Sequence, residues 1–335
     1  VLTDPVLIEE WSTFVSTPRI SESSADIRVQ TCIVNRSDIP RAISLQVELR
    51  DAAGEIVGLR RSSPRTVAAN QAEDFVETIA IKHAQLWDLE TPGLYTATVR
   101  ACCAGIVRDD ASVSFGIREA RFEAATGFWL NGKNLKLKGA CVHHDGGAFG
   151  AAVPLSIWDL RLRALKNLGV NAIRTAHNPP APEFLDLCDL LGLLVMDELF
   201  DVWTVAKNPH DYHRHFREWS VRDVRDTVRR DRNHPSIILY SAGNEIHDTP
   251  QEKLAGEILA ELVAAFHAED PTRPVTQALF RPNVSHDYDN GLADRLDVIG
   301  TNYRDLELLA AHQAKPTRQI LGTEQSHERR VWLRC

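Results

Sequence analysis

The chain has 335 residues, 44% of them hydrophobic and 25% charged, which suffices for a large buried core and excludes both a single small module and a disordered chain. Thirty-eight Lys plus Arg face 46 Asp plus Glu, a formal net charge of -8, so neither a nucleic-acid backbone nor an anionic membrane surface is an expected partner. No run approaches the roughly 18 apolar residues of a spanning helix. The six cysteines (Cys32, Cys102, Cys103, Cys141, Cys188 and Cys335) show no metal-type spacing and read as unpaired packed thiols. The N-terminus lacks a signal-peptide pattern, although a start at Val1 and an abrupt end at Cys335 suggest a piece of something longer, which leaves the compartment undetermined.

Residues 1–116 alternate apolar and polar in short runs, among them 27–34, 43–49 and 94–99, separated by turn signals at 35–38, 51–54 and 91–93. This is the pattern of half-buried strands in an antiparallel sandwich of about 100 residues. It carries no titratable cluster, so the expectation for it is a scaffold.

From residue 117 to 335 short apolar strands alternate with amphipathic helices, the pattern of parallel β/α units. Strands are predicted at 135–139, 170–174, 193–197, 237–241, 274–277, 297–301 and 319–323, and helices at 157–168, 183–191, 221–230, 251–267 and 304–314. Without a G-x-G-x-x-G fingerprint, the series predicts a TIM barrel truncated after strand 7, shorter than the about 250 residues of a complete one.

Barrel chemistry gathers at the C-terminal strand ends. The expected ends carry His143-His-Asp145, Arg174 with His177 and Asn178, Asp197-Glu198, Asn244-Glu245, Asn302-Tyr303, and Glu324 with His327. Any one of these residues is most simply a solvated loop side chain, but polar groups at almost every strand end form a candidate site. Glu245 and Glu324 end strands four and seven, on opposing sides of the mouth. Two facing carboxyl groups are what a retaining glycosidase uses, one as acid/base and one as nucleophile. Arg174 beside one of them would hold it ionised, while the other stays protonated in a drier setting. A metal centre built on His143, His144, Asp145 and His177 is the rival reading of the same residues, and a chelator separates the two. Of the tryptophans, expected mainly in the core, Trp203 is the best exception for stacking on a sugar face.

Phe115-Gly-Ile-Arg118, Leu130-Asn-Gly-Lys133, Lys138-Gly139 with His143-His-Asp145, and Asn171-Ala-Ile-Arg-Thr-Ala-His-Asn-Pro179 occur in order along the chain. Cys188-Asp189, Asp197-Glu198, Arg230-Asp-Arg-Asn-His-Pro-Ser236 and Gly243-Asn-Glu245 follow. In this register the chain resembles glycoside hydrolase family 2, the family of β-galactosidases, β-glucuronidases and β-mannosidases. The resemblance implies an immunoglobulin-like β-sandwich over residues 1–116 and a catalytic TIM barrel over 117–335. It implies Glu245 as acid/base and Glu324 as nucleophile, with His143, His177, Asn244, Tyr303 and Arg174 around the sugar. His327, three residues past Glu324, points to the β-galactosidase side, and no Asn-x-Lys of the glucuronidase kind is present.

No cofactor and no required metal are expected, because 199–203 lacks the Glu-x-His spacing of magnesium-binding relatives. The expected partner is a carbohydrate substrate, with homo-oligomerisation possible and neither nucleic acid nor membrane involved. The resemblance also implies that the family's N-terminal sugar-binding sandwich, the last barrel strand and its tryptophan fall outside these 335 residues. Alternatives are a β-glucuronidase, a β-mannosidase or an inactive carbohydrate-binding fragment.

Overall fold

The computed structural model describes residues 3–328, which divide into two compact units, one of residues 3–119 with 229–235 and one of 120–228 with 236–328. In the first, β1 (Val6–Ile8), β2 (Phe14–Ile20) and β3 (Ser24–Asn35) precede β4 (Arg41–Arg50), β5 (Ile56–Arg61) and β6 (Arg65–Val67). β7 (Gln71–Lys82), β8 (Tyr95–Cys103) and β9 (Ile106–Phe115) complete it. They form two antiparallel sheets, β1-β3-β2 with β7 on β3, and β5-β4-β8-β9 with β6 on β4. β3 alternates strictly between half-buried and buried positions, so Ile27, Val29 and Ile33 enter the core with Leu45, Val47 and Leu49 of β4 and Val99 of β8. This is the sandwich predicted from the alternation.

The second unit opens with a small antiparallel sheet of β10 (Ala120–Glu123), β11 (Gly127–Leu130) and β12 (Lys133–Leu135). Seven strands then lie side by side in chain order, all adjacent pairs parallel: β13 (Gly139–His143), β14 (Ala172–Ala176), β15 (Leu194–Glu198), β16 (Ile237–Asn244), β17 (Val275–Leu279), β18 (Ile299–Asn302) and β19 (Ile320–Glu324). Helices α1 (Leu155–Asn167), α2 (Pro182–Leu191), α3 (His213–Asp231), α4 (Glu252–Glu269) and α5 (Asp305–Ala314) connect them. This is the TIM-barrel arrangement, and among the described residues β13 and β19 each pair on one side only.

Four of the helices form within two residues of the expected bounds, whereas α3 begins at His213, eight residues before the expected 221. α2 starts with Pro182 in its first turn and stops at Gly192, whose φ of 64° closes the helix without a Cβ clash. It buries Phe184, Leu187, Cys188 and Leu191 at helical spacing against Ile173 of β14 and Val195 of β15.

The first barrel strand corrects the sequence reading. Residues 133–135 belong to the antiparallel sheet, and the barrel strand is 139–143, beginning where the expected one ends. The alternation at 135–138 mimics a half-buried strand, whereas Gly139-Ala-Cys-Val-His143 places a thiol and an imidazole at alternate positions and so lacks an apolar signature.

No helix among the described residues is long and apolar enough to cross a membrane. Cys32, Cys102, Cys103, Cys141 and Cys188 are unpaired; Cys188 is packed in the core, but Cys141 departs from the packed-thiol reading by being exposed. Cys335 and Trp332 lie outside the described residues.

Candidate active site

β14, β15, β16, β18 and β19 each deliver a polar side chain from the C-terminal end of the parallel sheet, and Arg174 links most of them. Its guanidinium is 4% exposed, so each N–H needs a partner. Nε and Nη2 grip Glu198 in a bidentate pair at 3.1 and 2.9 Å. Nη1 reaches Glu324 Oε2 at 2.8 Å and Cys141 Sγ at 3.6 Å, and Nη2 also donates to Asn244 Oδ1 at 2.8 Å. Those contacts employ all five donors of an arginine. Burial works against the charged guanidinium, but the neighbouring Glu198 more than offsets it and holds its pKa above the ordinary value.

Glu198 is fully buried and saturated. Besides Arg174 it accepts from Ser241 Oγ at 2.7 Å and lies 2.8 Å from His177 Nδ1, while its own N–H donates to Thr175 Oγ1. A carboxylate can only accept, so this contact sets the proton on His177 Nδ1 and leaves Nε2 as the acceptor. The His177 ring meets His143 edge to face, with centroids 5.3 Å apart.

Glu245 directly follows β16, where the strand bulges between Ser241 and Asn244. Its φ is 44°, the sparsely populated left-handed region, and its N–H is anchored on Ala278 O at 2.8 Å. Gly243, two residues before it, packs closely, since a Cβ there would come within 2.8 Å of the Ile246 side chain and force it to shift. Asn302 Nδ2 donates both to Glu245 Oε1 and to Asn244 Oδ1, each at 3.1 Å, and Thr323 Oγ1 fixes the Asn302 amide by donating to its Oδ1 at 2.8 Å. Hydrogen bonds therefore run unbroken from Glu245 through Asn302, Asn244 and Arg174 to Glu324.

Glu324 ends β19, with its side chain 23% exposed. One oxygen takes Arg174; the other takes the Tyr303 hydroxyl, and the Tyr303 N–H donates to the Glu324 carbonyl at 2.7 Å. Tyr303, like Glu245, is a strand-end residue with positive φ, 56°. On the other flank, Asp201 Oδ1 accepts from Asn244 Nδ2 at 2.8 Å and from Lys207 Nζ at 2.7 Å, and Lys207 also donates to the Asn244 carbonyl at 2.9 Å. Burial raises the Asp201 pKa, but the hydrogen bonds from Lys207 and Asn244 outweigh it and hold the carboxyl below its ordinary value. Beside this group lies a cleft of about 590 Å³, lined by His143, His177, Asp201, Phe200 and Tyr212 among others; neither Glu245 nor Glu324 lines it.

The structure thus brings together Arg174, His177, Asn244, Glu245, Tyr303 and Glu324, and sets His143 against His177. His327 is exposed beyond β19. Trp203 corrects the stacking expectation: it is fully buried, stacked on Phe216, and donates Nε1–H to Ala242 O at 2.9 Å, so its faces belong to the core. The sequence reading placed Glu198 and Asn302 at strand ends without assigning them to the site, and it left out Asp201, Lys207 and Ser241. The signals for the first two were their positions beside Asp197 and Tyr303; Ser241, inside an apolar strand, offered none.

With this geometry in hand, comparison with known proteins is informative. Residues 124–330 match the family model described as "Glycosyl hydrolases family 2, TIM barrel domain", and residues 8–118 match "Glycosyl hydrolases family 2". The chain is 37% identical to "Beta-galactosidase BoGH2A" of Bacteroides ovatus, across 96% of this chain and 41% of that protein. It is 32% identical to "Beta-glucuronidase" of Rattus norvegicus, across 82% of this chain and 41% of that protein. Among solved structures, a glycosyl hydrolase family 2 member from Bacteroides cellulosilyticus superposes with a TM-score of 0.91 at 34% identity, covering 96% of this chain and 41% of that one. The chain spans about two fifths of the length of each of these two relatives and of that structure. It carries an immunoglobulin-like domain followed by a TIM-barrel domain and belongs to glycosyl hydrolases family 2.

Proposed function

We propose that this protein supplies the catalytic pair of a retaining glycosidase that removes terminal β-linked sugars, with β-galactosides as substrate. The observation that carries this reading is the unequal treatment of the two strand-end glutamates. Glu324 is ion-paired with a buried arginine and receives a tyrosine hydroxyl, whereas Glu245 receives a neutral amide from Asn302. Glu324, held on one oxygen by Arg174 and on the other by Tyr303, is fixed in place as a nucleophile has to be; Glu245, with only a neutral amide among its described contacts, is the one suited to exchange a proton with the leaving group.

Glu324 would attack the anomeric carbon while Glu245 protonates the leaving oxygen, giving a covalent glycosyl-enzyme. Glu245 would then deprotonate the water that releases the sugar. Asn244 spends one N–H on Asp201, and its second suits a sugar hydroxyl beside the reacting carbon. His177 Nε2, an acceptor in the tautomer fixed by Glu198, and His143 suit hydroxyls on the side of the cleft, and His327 is assigned to the same sugar on the strength of its position past Glu324. The galactoside preference draws support from the Bacteroides ovatus relative.

The test is turnover of nitrophenyl β-galactoside, β-glucuronide, β-mannoside and β-glucoside by the full chain and by Glu324→Ala. One sugar should turn over, the variant should lose it, and azide should restore release with inverted product. A Glu324→Ala variant keeping the wild-type rate would refute the assignment. For Glu245→Ala, substrates with good leaving groups should lose less than those with poor ones, and equal losses would remove its acid role.

A further inference from the structure

Family relatives include proteins named for neutral and for uronic sugars, so the site's preference between them has to come from charge around the glycone. Two cations stand close to the catalytic pair, one with every donor engaged and one clamped by a carboxylate. Arg174 uses every donor on Glu198, Glu324, Asn244 and Cys141. Lys207 is held by Asp201 Oδ1 and the Asn244 carbonyl, with its side chain 17% exposed. Among the described residues, no lysine or arginine lines the cleft of about 590 Å³ beside His177, whereas Asp201, Asp211, Asp223 and Asp226 do, and Asp201, 40% exposed, is the one bonded to Asn244. Hydrogen bonds from Lys207 and Asn244 keep Asp201 ionised at neutral pH.

Resting on the glycosidase reading above, we propose that Asp201 is a specificity-determining residue: its carboxylate repels the carboxylate of a uronic acid and, by clamping Lys207, withholds the ammonium group that would otherwise receive it. Asp201 lies one hydrogen bond from Asn244, and Asn244 is the residue before Glu245. A glycone seated between the glutamates is therefore within the range at which two like charges in a partly dry site repel strongly. Neutral sugars meet instead a hydrogen-bond acceptor. Replacing Asp201 by Asn keeps an acceptor for Asn244 and Lys207 but inverts the local charge, leaving Lys207 as an uncompensated cation.

The experiment compares kcat/KM for nitrophenyl β-galactoside and β-glucuronide in the wild type, Asp201→Asn, and Asp201→Asn combined with Lys207→Met. The ratio cancels any general loss from disturbing Asn244. The wild type should favour the galactoside, Asp201→Asn should lower that ratio by about tenfold or more, and Lys207→Met added to it should restore much of the ratio. A wild type that prefers the glucuronide, or a ratio unmoved by Asp201→Asn, overturns the role of Asp201 while the glycosidase reading stands. If no sugar turns over, that reading fails, and calorimetry with free galactose and free glucuronate decides the inference separately. Galactose binding with glucuronate admitted only in Asp201→Asn supports it, and equal binding of both by the wild type overturns it.

Discussion

The two units bury their strands differently. β3 of the sandwich hides every second residue and is apolar where it is hidden, apart from Thr31 and Asn35. β15 and β16 of the barrel are buried at every position, and their C-terminal ends still carry Asp197, Glu198, Ser241 and Asn244. A half-buried strand leaves most of its polar residues to water, so its core is maintained chiefly by apolar contact. A strand covered on both faces has to find protein partners for its polar atoms, and at the ends of β15 and β16 many of those partners are one another. Stability in the sandwich is therefore spread over many similar contacts, whereas in the barrel chemistry and stability share a few residues joined through Arg174.

The largest effect that would break this contrast is at Glu324. Glu324→Ala should lower kcat for the preferred glycoside by roughly 10⁴-fold or more with only a small loss of melting temperature, because it frees one N–H of Arg174 at the partly exposed edge of the network while Glu198 still neutralises the guanidinium. A comparable melting loss would make Glu324 structural. Arg174→Ala should damage both properties at once. It strands the fully buried Glu198, at a cost of about 3–5 kcal/mol in denaturant unfolding, and removes the cation that holds Glu324. Retained stability would show that the Arg174–Glu198 pair does not hold the barrel together.

Leu45→Ala in the sandwich core should cost about 2–5 kcal/mol and leave kcat/KM of the folded protein unchanged, which a titration with urea and an assay below the transition would establish. The smallest effect concerns Asp287, a buried carboxyl in the loop after β17. Burial raises its pKa from 3.8 to about 6, against the pull of Ser285. A folded-state value above the unfolded one gives stability that is complete below about pH 4 and is lost as pH rises through 6. Asp287→Asn should thus raise the melting temperature by a few degrees at pH 8 and change little at pH 4. An equal gain at both would point to packing in place of charge.

The contrast also explains what could be read from the chain. Alternation in β3 and β4 is a direct imprint of one-sided burial, and the 3.6-residue stripe of α2 is equally plain. The first barrel strand was misplaced because its sheet positions carry Cys141 and His143 where apolar residues are expected, while the neighbouring Leu135-Lys-Leu-Lys138 alternates like a surface strand. The strand-end polar residues were legible as a set, because six of the seven strands finish beside acidic, amide or imidazole groups. Their wiring was not: nothing in the sequence says that Arg174 faces Glu198 as well as Glu324, or that Lys207, six residues past Asp201, folds back onto it. Those contacts depend on side chains from separate strands converging and on a loop conformation, neither of which has a periodic signature.

The central claim is that Glu324 forms a covalent bond to the sugar. Incubation of the full chain with an activated 2-deoxy-2-fluoro-β-galactoside, followed by proteolysis and mass spectrometry, reads this directly, since the fluorine slows hydrolysis of the glycosyl-enzyme more than its formation. The account predicts one added sugar on the peptide that contains Glu324 and none when that residue is Ala. Label on Glu245, or full inactivation with Glu324 unmodified, would contradict it.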